Sequence, residues 1–208
     1  MTTLSEQDDV TLALQAEEYI DGNATSFFSI KSYPLFIEIV EKTVQKSIAQ
    51  LETNPKFLQV GEDQITNILC IALRMAGINA DHDSMEGGHA DIVIKNIRYK
   101  WLAEAKIKDD TYDYAWLWGG FMQLTERYAT NTADCNKAGF FVYVKQPNSK
   151  RTMERWKAHM EGKKDEYTFE FFDTPFPFSF GSSHEHTRFG DGCFVTHFCL
   201  SAHFAPVV

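Results

Sequence analysis

No stretch of this 208-residue sequence is apolar for long enough to span a membrane. Met1 to Val10 are polar and acidic, so no secretory signal is expected. Cysteine is sparse: Cys70, Cys135, Cys193 and Cys199 lie far apart, with no CxxC pair and no zinc-like spacing. That excludes a disulfide framework and predicts reduced thiols in a cytoplasmic protein. Glycine-rich nucleotide loops and serine or cysteine nucleophile motifs are missing. Positive charge is also short, with 20 Lys and Arg against 29 Asp and Glu and a net charge of −9. Phosphate contacts dominate nucleic-acid affinity, so such a partner needs one locally basic face. Repeats and low-complexity segments are absent.

What is present can bury a core. The chain is 44% hydrophobic and fits a single domain, 1–208, with a helical N-terminal decoration (1–58), a central core (59–146) and a C-terminal basic helix with strands (147–208). A first helix is expected over Leu4 to Tyr19, ended by the Asp21-Gly22-Asn23 turn signal. A second starts near Ser32, an N-cap, with Pro34 in its first turn. Its Phe36, Ile37, Val40, Val44, Ile48 and Leu51 keep helical spacing up to Asn54-Pro55. A third covers Glu62 to Ala76, with Glu62 and Asp63 suited to the dipole of its first turn and Gly77 as C-cap. Ile78 to Asp81 reads as a short strand and Glu86-Gly87-Gly88 as a turn.

Gly88 to Lys108 reads as two strands, around which the rest is arranged. Alternate side chains of an extended chain share a face, so Glu104 and Lys106 point one way and Ala105 the other, with Asp91 able to lie beside them. Two carboxylates and an ammonium on a half-buried sheet are costly to desolvate without a partner, and a divalent cation is the natural one. After the acidic turn at Asp109-Asp110 a helix is expected from Tyr112 to Thr130. Gly119-Gly120 in its middle implies close packing on the sheet or a local irregularity. Ala138 to Lys145 is a nearly all-apolar strand. A basic helix over Lys150 to Lys164, a strand over Tyr167 to Phe172, a loop-rich aromatic tail and a strand over Cys193 to Phe204 complete the chain.

The order helix, three strands, helix, strand, with Glu62 on the helix, Asp91 opening the second strand and Glu104-Ala105-Lys106 on the third, resembles the PD-(D/E)XK nuclease superfamily over about Gly61 to Lys145. The resemblance implies an α/β fold with a restriction-endonuclease-like αβββαβ core and a mixed central sheet, flanked by N-terminal helices and a C-terminal β/loop decoration. It implies Mg²⁺, replaceable by Mn²⁺, held by Asp91, Glu104, the Ala105 carbonyl and Glu62. Lys106 would orient or help deprotonate the attacking water and offset charge on the phosphate. Gln123 is the candidate on the following helix. Some relatives carry Gln-x-x-x-Tyr, whereas Tyr128 here follows Gln123 by five, and His89-Ala90 stand where the motif has its Pro. The substrate implied is DNA and the setting restriction or phage defence.

Phosphate contacts are expected on the basic helix, at Lys150, Arg151, Arg155 and Lys157. A second acid-x-Lys, Glu161-Gly162-Lys163, ends that helix with no strand around it and reads as a solvated face. His184-Glu185-His186 is expected in a solvated loop, His197 and His203 as packing or surface residues, and His89 as a strand-end polar residue. Phe176 to Phe180 offers a homodimer surface. Two rival functions remain: a catalytically inactive nuclease-like binding or assembly module, and an RNA- or single-strand-specific nuclease.

Overall fold

The structure, a computed structural model, describes residue 16 and residues 24–84, 90–128, 135–185 and 192–205. The helix expected over 4–19 therefore lies outside the described residues except for Ala16, which is helical and fully buried. The turns at 21–23 and 86–88, and His89 and His186, lie outside them as well.

Helix α1 (Tyr33–Glu52) starts where Ser32 accepts a hydrogen bond from the Leu35 N–H at 3.5 Å, and buries Phe36, Ile37, Val40, Val44 and Ile48. A 3₁₀ turn, Pro55–Leu58, leads to α2 (Glu62–Met75), whose Ile65, Leu69 and Leu73 face inward. Gly77, at φ 84°, takes the left-handed conformation that ends this helix. There follow β1 (Ala80–Ser84), β2 (Ala90–Lys95), β3 (Lys100–Lys108), α3 (Tyr114–Gln123), β4 (Lys137–Val144), α4 (Ser149–Glu161), β5 (Phe169–Phe172), β6 (Phe180–Glu185) and β7 (Gly192–Ser201).

The protein is α/β, with one seven-stranded mixed sheet in the order β1-β2-β3-β4-β7-β6-β5. β3, β4 and β7 run parallel at its centre, and both flanks are antiparallel. Each face is covered. Trp101, Ala103, Ala105, Ile107, Phe141 and Phe198 pack with α1 and α2. Val93, Leu102, Phe140, Val142 and Val195 pack with Leu117 and Phe121 of α3 and Met153 and Trp156 of α4. The parity of β3 thus sends Leu102, Glu104, Lys106 and Lys108 toward α3 and α4.

Several boundaries differ from expectation for local reasons. α3 starts at Tyr114, not Tyr112, because the Asp113 carboxylate caps it by accepting from the Trp116 N–H at 2.9 Å. Asp109 holds the preceding turn through the Thr111 and Tyr112 N–H groups. Beyond Gln123 the helix continues as a π turn, Leu124–Tyr128. The basic helix stops at Glu161, with Gly162 as its cap. β1 starts two residues later than expected and ends three later, the fifth strand begins at Phe169, and β7 ends at Ser201. The larger miss is β6, a strand in the tail read as loop.

Candidate active site

β2 and β3 stay paired only from Ile92–Ala103 to Lys95–Lys100, whereas β3 remains paired with β4 as far as Lys108. β3 therefore has a bare edge beyond Ala103, whose N–H groups need acceptors. Carboxylates supply them. Asp91, where β2 parts from β3, accepts from the Ala105 N–H at 2.7 Å. Glu62, in the first turn of α2, accepts from the Ile107 N–H at 2.7 Å. That turn is itself tied to the sheet, because Thr66 donates to the Glu62 carbonyl and lies 3.0 Å from the buried Tyr143 hydroxyl of β4.

The same two carboxylates face an ammonium. Lys106 Nζ lies 2.6 Å from Glu104 Oε1, 3.4 Å from Glu62 Oε1 and 3.8 Å from Asp91 Oδ2, and it donates to the Ala105 carbonyl at 2.9 Å. Three acids from three elements, and the carbonyl singled out in the sequence, thus meet at one point. Glu104 and Lys106 are almost wholly buried, with side chains 3% and 8% exposed, while Glu62 and Asp91 at 25% and 26% open the cluster to solvent.

Burial, then Asp91, push the Glu104 carboxyl up to about 7, against the opposing pull of Lys106. Burial also raises Glu62 and Asp91, although Lys106 and their N–H donors oppose it. For Lys106 burial acts downward, but the surrounding carboxylates together prevail and raise it, so it stays an ammonium. Glu104 Oε2 is buried with no hydrogen-bond partner among the described residues. Three carboxylates against one ammonium leave an excess of negative charge.

Among the described residues no group of three or more His, Cys, Asp or Glu side chains is arranged as a ready metal cage. The donor set nonetheless fits a hard divalent cation. It offers carboxylate and carbonyl oxygens, a buried acceptor without a partner among the described residues, and uncompensated negative charge.

The other expected residues fare unevenly. Gln123 is half-buried at the end of α3, and no hydrogen bond or ion pair joins it to Glu62, Asp91, Glu104 or Lys106. Arg151 and Arg155 line a hollow of about 340 Å³ with Asp110 and Gln146, and Gln146 also reaches Lys108 at 3.4 Å. Those two arginines border the end of β3. Lys150 is exposed and pairs with Glu154. Lys157 points away, over the rings of Phe171 and Phe180 at 4.9 and 5.6 Å. The four do not form one patch.

Two features escaped the sequence reading. Trp116 lies with its ring centroid 5.7 Å from Lys106 Nζ, and Gly120 lets Lys106 pass so close that an added Cβ would sit 2.6 Å from its Cε. The Gly119-Gly120 pair was the available signal, and it did imply close packing. The second feature is a correction. His184 is not in a solvated loop: it is 3% exposed on β6, and His197 on β7 is fully buried. Trp156 donates its indole N–H to His197 Nδ1 at 3.1 Å, while Ser182 Oγ lies 2.8 Å from both His197 Nε2 and His184 Nε2. An indole only donates. The His197 proton must then sit on Nε2 and point at Ser182, whose own proton goes to His184 Nε2. His184 is left with an Nδ1–H that is buried and unpartnered among the described residues. Burial lowers the pKa of both rings, to about 3 for His184.

No protein-family model, curated protein or solved structure matches this chain significantly.

Proposed function

We propose that this protein hydrolyses phosphodiester bonds in DNA with a divalent cation, as a nuclease of the PD-(D/E)XK type. One observation carries the reading: Glu62, Asp91 and Glu104, from three separate elements, converge within 3.8 Å of Lys106 Nζ. The order α2, β1, β2, β3, α3, β4 supports it, with β1 to β3 antiparallel and β4 parallel to β3.

Asp91, Glu104, the Ala105 carbonyl and Glu62 would hold Mg²⁺ or Mn²⁺. When bound, such a cation supplies a Lewis acid beside the phosphate and eases deprotonation of water. Lys106, which the same carboxylates hold as an ammonium in the metal-free site, would orient the attacking water and stabilise charge on the phosphate. Asp91 and Glu62 are fixed by the β3 edge and need little reorganisation. A restriction or phage-defence setting belongs to the same proposal.

A second reading has one observation in its favour. Lys106 already lies against all three carboxylates and donates to the Ala105 carbonyl, as in a structural ion cluster. Cutting of plasmid and oligonucleotide DNA with Mg²⁺ or Mn²⁺ separates the two. Lys106→Ala and Asp91→Ala are each expected to lower cleavage on the order of 10²-fold or more, and chelator to abolish it. An inactive scaffold would show no cleavage in any variant and no metal binding by calorimetry.

A further inference from the structure

Beside Lys106 lies a surface that the hydrolytic reading leaves unused. Tyr112, in the turn before α3, and Trp116, in the first turn of α3, stack on each other with ring centroids 5.1 Å apart and planes 27° from parallel. Both are large rings left open to solvent, 40% and 43% exposed. Such residues are ordinarily packed away, as Trp101, Trp156 and Phe121 are here. The pair ends at the candidate site, because the Trp116 ring is the one 5.7 Å from Lys106 Nζ.

We infer that the Tyr112–Trp116 pair seats an unpaired nucleobase, so that the substrate strand is single-stranded where it is cut. The inference rests on the phosphodiesterase reading above and names its substrate class. Flat exposed rings at the edge of a phosphodiesterase site match a ligand that joins a π face to a phosphodiester, which describes one nucleotide. Stacking of a base on an aromatic ring is tolerant of sequence and does not draw on phosphate contacts.

The charges around the pair favour a single strand over a duplex. Asp109, Asp110 and Asp113 flank Tyr112, and the last two are exposed. These carboxylates repel phosphates, and a duplex carries about twice as many of them per length as a single strand. A lone base needs only the rings. The net charge of −9 points the same way, since duplex binding depends on many neutralised phosphates.

The test is a fluorescence titration of a short single-stranded oligodeoxynucleotide carrying 2-aminopurine, in chelator so that no cutting occurs. Wild type is expected to quench the probe and to bind the matching duplex at least about ten-fold more weakly. Tyr112→Ala is expected to weaken single-strand binding about ten-fold, with Tyr112→Phe, which keeps the ring, close to wild type. An oligoribonucleotide of the same sequence shows whether the sugar is also read. Equal or tighter duplex binding, or unchanged binding by Tyr112→Ala, overturns the inference. The two proposals fail separately: cleavage that depends on Lys106 with binding indifferent to Tyr112 sinks the base seat alone. Ring-dependent binding without any metal-dependent cleavage sinks the hydrolysis alone.

Discussion

At the scale of the residue, Glu104 and Gly120 carry the sharpest expectations. The Glu104 carboxyl, ordinarily near 4.5, is pushed up to about 7 chiefly by burial. Between those values the folded protein keeps a proton that the unfolded chain has lost. The stability this group contributes is therefore full below 4.5 and is lost as pH rises through about 7. In metal-free urea denaturation, Glu104→Gln should remove that decline, so its advantage over wild type grows with pH across the window. A cation needs the carboxylate, so Mn²⁺ affinity by calorimetry should fall as pH is lowered below about 7. Gly120 offers a second probe. A methyl there would meet Lys106 Cε at 2.6 Å and Cγ at 2.7 Å, with the carboxylates hemming the ammonium on its other side. Gly120→Ala should cost about 1–3 kcal/mol in urea denaturation and lower cleavage on the order of 10²-fold. Gly119→Ala meets nothing within 4 Å and should keep full activity, gaining up to about 1 kcal/mol from helix propensity. Equal losses in both variants would show that Lys106 is not the reason.

At the scale of the element, β6 shows how a polar sequence becomes an interior strand. Phe180, Ser182 and His184 are all buried, and the Ser182 hydroxyl ties His184 to His197 of β7. Phe180 stacks on the His197 ring at 4.3 Å. Ser182→Ala removes the hydroxyl both rings use and should cost about 1–3 kcal/mol of unfolding free energy. An unchanged denaturation midpoint would show that the hydroxyl holds nothing. The network also sets a pH response opposite to that of Glu104. Both histidines have folded-state values lowered from 6.5 by burial, so their contribution is present above 6.5 and is lost as pH falls below it, toward about 3 for His184. β3 teaches a complementary lesson. Its alternation was legible, but the early departure of β2, which frees two N–H groups for Asp91 and Glu62, was not.

At the scale of the whole molecule, the placement of charge and of aromatic rings decides what the surface can meet. The basic residues of α4 divide: Arg151 and Arg155 gather at the hollow by the end of β3, and Lys157 turns to the β5–β6 aromatics. Arg151→Ala and Arg155→Ala should each weaken nucleic-acid binding and reduce its salt slope by about 1, while Lys157→Ala leaves both unchanged. Binding measured at several salt concentrations checks this. The aromatic tail is open to solvent only in part. Phe176 packs on Phe198, Phe180 is 5% exposed, and only Phe178 of the three stands largely in solvent. Exposed apolar side chains gather instead at Phe57, Ile71 and Met75, beside a groove of about 710 Å³ between α1 and α2. Among the described residues no helix is long and apolar enough to cross a membrane. All four cysteines are buried and unpaired.

Local pattern alone settled much of this protein. Apolar residues at helical spacing, Ser32 and Gly77 as start and stop signals, and the period-two alternation around Glu104 are properties of neighbouring residues, and neighbours are what a sequence displays. It could nominate Glu62, Asp91, Glu104 and Lys106, but their meeting depended on which strand edges pair and where β2 leaves β3. The same holds for the buried histidines and for Lys157. A polar side chain is buried or solvated according to the partner that arrives from elsewhere in the chain, and only the assembled sheet brings that partner within hydrogen-bonding distance.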